Sequence, residues 1–172
     1  QQYLAARHIR LKLQEKLLPG QTAIELLFKK QQLNSEEGYQ ISVSINNTQL
    51  TAATTHGMFN AIQTFKQLTV SDQIPFCDIT DQPAFAWRGF MVDVGRNYQS
   101  LRQLKQQIDV MAAYKLNIFH FHLTEDIAWR LESKLYPQLT AAAYMQRNPG
   151  EYYTLEELKE LIRFCKERFI TL

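Results

Sequence analysis

The sequence predicts an α+β domain over residues 1–83, followed by the first βα units of a (β/α)8 TIM barrel over residues 84–172, incomplete as a barrel. Three observations predict it. Short stretches of period-two apolar alternation fill the first half and give way to one segment at helical spacing. A proline-punctuated connection follows, Ile74-Pro75 and then Asp81-Gln82-Pro83. Beyond it the pattern becomes strand, helix, strand, helix, the signature of parallel βα units.

In the first part, Ile9, Leu11 and Leu13 alternate with polar residues, and Pro19-Gly20 marks a turn. Ile24, Leu26 and Phe28 alternate again, each run giving one buried face. Tyr39, Ile41, Val43 and Ile45 form a third run. Asn46-Asn47 can reverse the chain into a short strand at Thr48–Ala52, because Asn tolerates the left-handed backbone of tight hairpins. Thr55–Leu68 reads as a helix, with Met58, Ile62, Phe65 and Leu68 on one face. Residues 71–87 read as a connection, since proline disfavours helix before it and cannot donate within a central sheet.

In the second part, Gly89–Val94 is mostly apolar, as expected of a strand buried on both faces. Ser100 with Gln103 is a capping-box start, and Leu101, Leu104, Ile108 and Met111 form the stripe of the helix that follows. Asn117–Leu123 is the second strand. A long connection runs from Thr124 to about Tyr153. Thr154 with Glu157 opens another helix, with its stripe at Leu158, Leu161, Ile162 and Cys165, and Phe169–Leu172 starts a third strand. A full barrel takes about 250 residues. The strand face containing Phe90, Val92, Ile118 or their neighbours is therefore expected to stay open and to favour self-association.

The formal charge of +2 and the scattered Lys and Arg do not point to nucleic acid. No apolar stretch approaches the length of a membrane span. Cys77 and Cys165 lack metal-type spacing and read as two ordinary buried thiols. The chain opens on Gln1 rather than Met, which leaves room for a removed upstream segment.

Charged residues at the C-terminal ends of barrel strands line active sites. Asp93, Arg96, His120, His122, Glu125 and Asp126 sit where the two strands should stop. At i and i+2 of a strand, His120 and His122 share a side; they can bind a metal, move a proton, or hydrogen-bond inside the barrel. Glu125 and Asp126 are adjacent carboxylates; one can orient a reacting group while the other holds the loop. The guanidinium fork of Arg96 suits vicinal hydroxyls or a carboxylate, and pairing with Asp93 or Glu125 is the alternative. Arg88 and Asp93 are expected to form an ion pair. Trp129 and Arg130 can stack on a sugar or pack the loop.

The ordered string Trp87-Arg88-Gly89, Asp93, Arg96, Lys115-Leu116-Asn117, His120-Phe121-His122-Leu123-Thr124-Glu125-Asp126, Trp129-Arg130 and Tyr136-Pro137 resembles glycoside hydrolase family 20, the β-N-acetylhexosaminidases. Upstream, Glu37-Gly38-Tyr39, Gly57-Met58-Phe59, and Ile79-Thr80-Asp81 are similar to that family's non-catalytic, zincin-like α+β domain. The resemblance implies removal of terminal β-linked GlcNAc or GalNAc with retention, the substrate's own acetamido oxygen acting as nucleophile, an exception to the two-carboxylate scheme. It implies no cofactor and no metal. Its substrates would be terminal N-acetylhexosaminides, with no nucleic-acid partner, and an exported (periplasmic or extracellular) location.

Carried over residue by residue, Arg96 matches the arginine that binds sugar hydroxyls. Glu125 falls where the family usually has the Asp that supports the acid/base Glu, and Asp126 matches the second carboxylate. Asp93, His120 and His122 are support. The loop Asp126-Ile127-Ala128 departs from the family's usual Gln-Gly before Trp-Arg. The acid/base Glu and its Asp partner belong on a fourth strand, so this segment alone is expected to be inactive. Two further readings stand beside this one: a metal-dependent barrel hydrolase using the His-x-His pair, and a non-catalytic carbohydrate-binding or scaffold protein.

Overall fold

The computed structural model describes residues 23–30, 33, 35–69 and 73–172. The strand expected at Ile9–Leu13 and the Pro19-Gly20 turn lie outside the described residues. The chain divides into two compact units, Gln1–Ala84 and Phe85–Leu172.

Among the described residues, the first unit is a four-stranded sheet covered by a helix. Strands β1 (Ile24–Phe28), β2 (Tyr39–Val43), β3 (Thr48–Ala52) and β4 (Cys77–Asp81) lie in the order β1-β3-β2-β4. β1 runs parallel to β3, and the other pairings are antiparallel. β2 and β3 form the hairpin expected around Asn46-Asn47, closed by Ser44 N donating to Asn47 O at 2.8 Å. Tyr39, Ile41, Val43, Leu50 and Ala52 point to one side, where Met58, Ala61 and Phe65 of helix α1 (Thr55–Leu68) meet them. Full burial of such a side chain contributes about 1.5–3 kcal/mol, so this layer accounts for much of the unit's stability. Gly57 lets the first turn of α1 come close to the sheet: a Cβ there would lie 2.4 Å from Gly38 O.

Two expectations need correction here. Leu26 and Phe28 share the face of buried Leu50 and Ala52, yet they are 46% and 58% exposed. The alternation marks the face correctly, but α1 lies over β2 and β3 and leaves β1 at the margin. The connection at 71–87 also contains a strand, β4. It is short, and among the described residues it pairs with β2 on one side only. Prolines beside an edge strand cost no ladder bond, so the punctuation that suggested a loop is compatible with a strand.

The second unit alternates strand and helix. β5 (Gly89–Asp93) and β6 (Ile118–His122) are parallel, with Met91 opposite His120 and Asp93 opposite His122. Helices α2 (Leu101–Ala113) and α3 (Leu155–Lys166) both start with complete capping boxes, Ser100 with Gln103 and Thr154 with Glu157. Both end in the same way. Leu116 N reaches Met111 O (2.9 Å) and Ile170 N reaches Cys165 O (3.0 Å), with Lys115 and Phe169 in the left-handed region at φ 58°. This is the Schellman termination, here without glycine. Thr171 then bridges in parallel to Ile118, so the expected third strand begins only after Phe169.

Helical packing covers the Val92 and Phe119 face of the strands together with Leu104, Ile108, Met111, Leu161 and Cys165, all buried. The open face is therefore the other one. On that face Met91 is 52% exposed and His120 is exposed, with Ile118 half-buried beside them; of the residues expected to stay open, Val92 is buried, while Phe90, on the Val92 face, is 45% exposed. Ile162 also leaves the predicted stripe and is exposed, because it stands a residue beyond the Leu158, Leu161 and Cys165 line.

The long connection is more ordered than its sequence suggests. β7 (Thr124–Glu125) and β8 (Ala128–Trp129) make a tight hairpin with Asp126-Ile127 at its tip. Leu131 then bridges to Tyr153, and short 3-10 turns cover Pro137–Thr140 and Ala142–Tyr144. No helix among the described residues is long and apolar enough to cross a membrane.

Candidate functional site

The site forms at the C-terminal ends of β5 and β6. Asp93 is the last residue of β5 and His122 the last of β6, so the parallel register sets them side by side on the open face. Val94 N and Gly95 N both donate to His122 O, at 3.0 and 3.3 Å, which ties the turn after β5 to the end of β6. That turn carries Arg96. The β7–β8 hairpin folds Glu125 back toward the same place.

Four side chains meet there. Asp93 Oδ1 accepts from Arg96 N (2.9 Å), and Asp93 Oδ2 pairs with Arg96 Nη1 at 3.2 Å. Arg96 Nη2 reaches Glu125 Oε1 at 3.4 Å, and the same oxygen lies 2.9 Å from His122 Nε2. The Arg96 side chain is 61% exposed even though both carboxylates hold it. Its fork is thus fixed in direction and still open to solvent, as a hydroxyl-binding guanidinium needs to be.

Gly95 makes the closeness possible. A Cβ there would stand 3.0 Å from Glu125 Cγ and 3.1 Å from its Cβ and N. Asp93, His122 and Glu125 also present ligating atoms within 4.8 Å of one another. Arg96 already lies against both carboxylates, so a cation there would compete with a guanidinium.

The remaining predicted residues fall outside this group. His120 shares the open face with His122, with ring centroids 6.2 Å apart, but its ring is exposed and makes no contact with the carboxylates among the described interactions. Asp126 is at the exposed tip of the hairpin. Arg88 and Asp93 do not pair. They stand at opposite ends of β5, about 17 Å apart at strand rise. Arg88 instead donates to Lys115 O (2.8 Å) and Phe85 O (2.7 Å).

Beneath the site lies the largest fully buried side chain among the described residues, Arg130. Its guanidinium donates to Val94 O (3.0 Å), Gly95 O (3.3 Å), Arg147 O (2.6 Å), Asn148 O (2.9 Å) and Glu151 O (2.9 Å). Burial pulls its pKa below the ordinary arginine value. Carbonyl dipoles take the place of water around the charge. Tyr153 is buried beside it, donating to Gln99 O at 2.5 Å, with the Tyr98 and Phe121 rings 5.0 and 5.2 Å away. Burial pushes the phenols of Tyr153 and Tyr98 up. Of the two readings open for Trp129 and Arg130, Arg130 packs the loop, while Trp129 is partly exposed and donates to Leu131 O at 2.7 Å. The depth of Arg130 was not legible in the sequence; its one signal was a charge placed directly after the aromatic Trp129.

The profile of the glycosyl hydrolase family 20 catalytic domain matches residues 85–172, and that of family 20 domain 2 matches residues 1–82. The chain belongs to glycosyl hydrolase family 20. This family 20 chain is 37% identical over 153 residues to a β-hexosaminidase of Porphyromonas gingivalis, covering 79% of this chain and 20% of that protein. The β-N-acetylhexosaminidase of Bacteroides fragilis has a TM-score of 0.78 at 37% identity, covering 86% of this chain and 32% of that one. The chitobiase of Flavobacterium johnsoniae has a TM-score of 0.79 at 32% identity, covering 98% of this chain and 27% of that one. This chain therefore spans between 20% and 32% of the length of these relatives. Its mixed sheet with a helix fits the family's N-terminal domain, and its βα units fit the start of the catalytic domain.

Proposed function

We propose that this chain is the N-terminal portion of a longer, retaining β-N-acetylhexosaminidase that removes terminal β-linked GlcNAc or GalNAc by substrate-assisted catalysis. Residues 1–83 would be its non-catalytic, zincin-like domain and residues 84–172 the opening of its (β/α)8 barrel. The observation that carries the reading is the Arg96 fork, held by Asp93 and Glu125 and still open to solvent. Arg96 would donate to hydroxyls of the non-reducing-end sugar. Glu125 would be the supporting carboxylate, with Asp93, His122, His120 and Asp126 around it.

In this scheme the acetamido oxygen of the substrate attacks the anomeric carbon. The aglycone oxygen leaves with a proton from a glutamic acid, giving an oxazolinium, which water then opens with the proton returning to that glutamate. No Asp is directly followed by Glu in this chain. In this scheme the acid and its Asp partner would belong to the rest of the longer protein, and the isolated chain would be inactive.

A metal-dependent hydrolase draws on the convergence of Asp93, His122 and Glu125. Arg96 between two of these groups weighs against it, and full activity in a chelator would dismiss it.

The experiment is Arg96→Ala in the full-length protein. A lost charge-assisted hydrogen bond costs about 1.5–3 kcal/mol, tenfold or more in KM. Because Arg96 touches hydroxyls in both ground and transition states, kcat should change little. An unchanged KM would contradict the role.

A further inference from the structure

We propose that Arg130 is a positioning residue for substrate binding: its buried guanidinium fixes the turn that carries Arg96, and so sets where the Arg96 fork points. The proposal rests on the reading of Arg96 as a sugar ligand, and it goes further by assigning a role to a side chain that touches no substrate.

The geometry is that of a clamp with two arms. One arm holds Val94 O and Gly95 O, the two residues immediately before Arg96. The other arm holds Arg147 O, Asn148 O and Glu151 O. That second segment returns to the same turn. Arg147 Nη1 reaches Arg96 O (3.4 Å) and Asn97 Oδ1 (3.1 Å), and Asn148 Oδ1 accepts from Tyr98 N at 3.3 Å. The turn is thus held from below by Arg130 and laterally by a loop that Arg130 also holds.

Only arginine fits this role. Five donors in a rigid plane can serve carbonyls on both sides at once, whereas an ammonium is a point with a shorter reach. Fixing the turn also keeps Gly95 against Glu125, the partner that orients Arg96. A recognition group displaced by about 1 Å can lose on the order of a hundredfold in rate, so a supporting clamp has measurable consequences.

The test is a double-mutant cycle in the full-length protein, with an aryl N-acetyl-β-glucosaminide as substrate. Arg130→Lys should raise KM by about tenfold with a much smaller change in kcat. In an Arg96→Ala background the same change should leave KM nearly unmoved, because the residue it positions is gone. A purely structural role would lower the thermal midpoint and the amount of active enzyme while leaving KM alone, and its effects would add to those of Arg96→Ala. Either of those results overturns the proposal. If Arg96→Ala itself leaves KM unchanged, the sugar-ligand reading fails instead, and the two failures are distinguishable. Should Arg130→Lys not fold, Arg147→Ala removes an exposed strut of the same clamp. It should raise KM in the Arg96 background and not in the Arg96→Ala background; no KM effect in either would overturn the clamp.

Discussion

Around Asp93, Arg96, His122 and Glu125, small dimensions decide whether the fork stays oriented. Gly95 is the narrowest point. A methyl group there meets Glu125 at 3.0–3.1 Å, including its backbone N, which cannot rotate away. Gly95→Ala should therefore destabilise the chain by about 1–3 kcal/mol, as overpacking does, measurable as a lower denaturant midpoint. A midpoint equal to that of the unmodified chain would show that the turn relaxes freely. A second residue-scale effect concerns alkali. Cys165 is buried, and burial pushes its thiol from 9.0 to about 11. In the unfolded chain the thiol loses its proton near the lower value, and in the folded chain near the higher. Between them the unfolded state binds fewer protons, so stability falls as pH rises. A shift of about two units corresponds to roughly 2–3 kcal/mol. Cys165→Ala should flatten the dependence of stability on pH across that window; an unchanged slope would contradict the burial argument. At this scale the sequence showed which residues gather at strand ends, because a strand's last position is marked by the change from apolar to charged. It did not show their sorting. His120 and His122 look equivalent in sequence, but only His122 ends opposite Asp93 and within reach of Glu125. Arg130 looks like a surface charge, and only a loop folding over it explains its burial.

Elements were legible where local chemistry dictates them. The starts of α2 and α3 are set by Ser100 with Gln103 and Thr154 with Glu157, each satisfying donors that an open helix end would leave bare. Thr154→Ala removes the acceptor for Glu157 N, at 3.1 Å, and should cost about 1 kcal/mol. Thr154→Ser keeps that acceptor and should cost less; equal losses in thermal melts would count against the cap. β4 and the β7–β8 hairpin were not legible. Each has so few apolar residues that pairing with a neighbour, rather than its own pattern, makes it a strand. The same holds for the open face of β5 and β6. Alternation gives two faces, and only the placement of α2 and α3 decides that Val92 is covered and Met91 is not.

The whole molecule combines a sheet-and-helix unit with the first βα steps of a catalytic domain, and both halves match family 20. Family membership was the most legible property of all, because ordered motifs along the chain constrain it more tightly than any single element. The exposed Met91 and His120 face, with Phe85 and Trp87 also exposed, is the surface on which the isolated chain is expected to self-associate. The central claim is that this chain serves a substrate-assisted β-N-acetylhexosaminidase. The most direct measurement compares the full-length protein on an aryl N-acetyl-β-glucosaminide and on the matching aryl β-glucoside, which has a hydroxyl in place of the acetamido group. The account predicts ready hydrolysis of the first and negligible hydrolysis of the second, since the nucleophile belongs to the substrate. Comparable rates on both would contradict it.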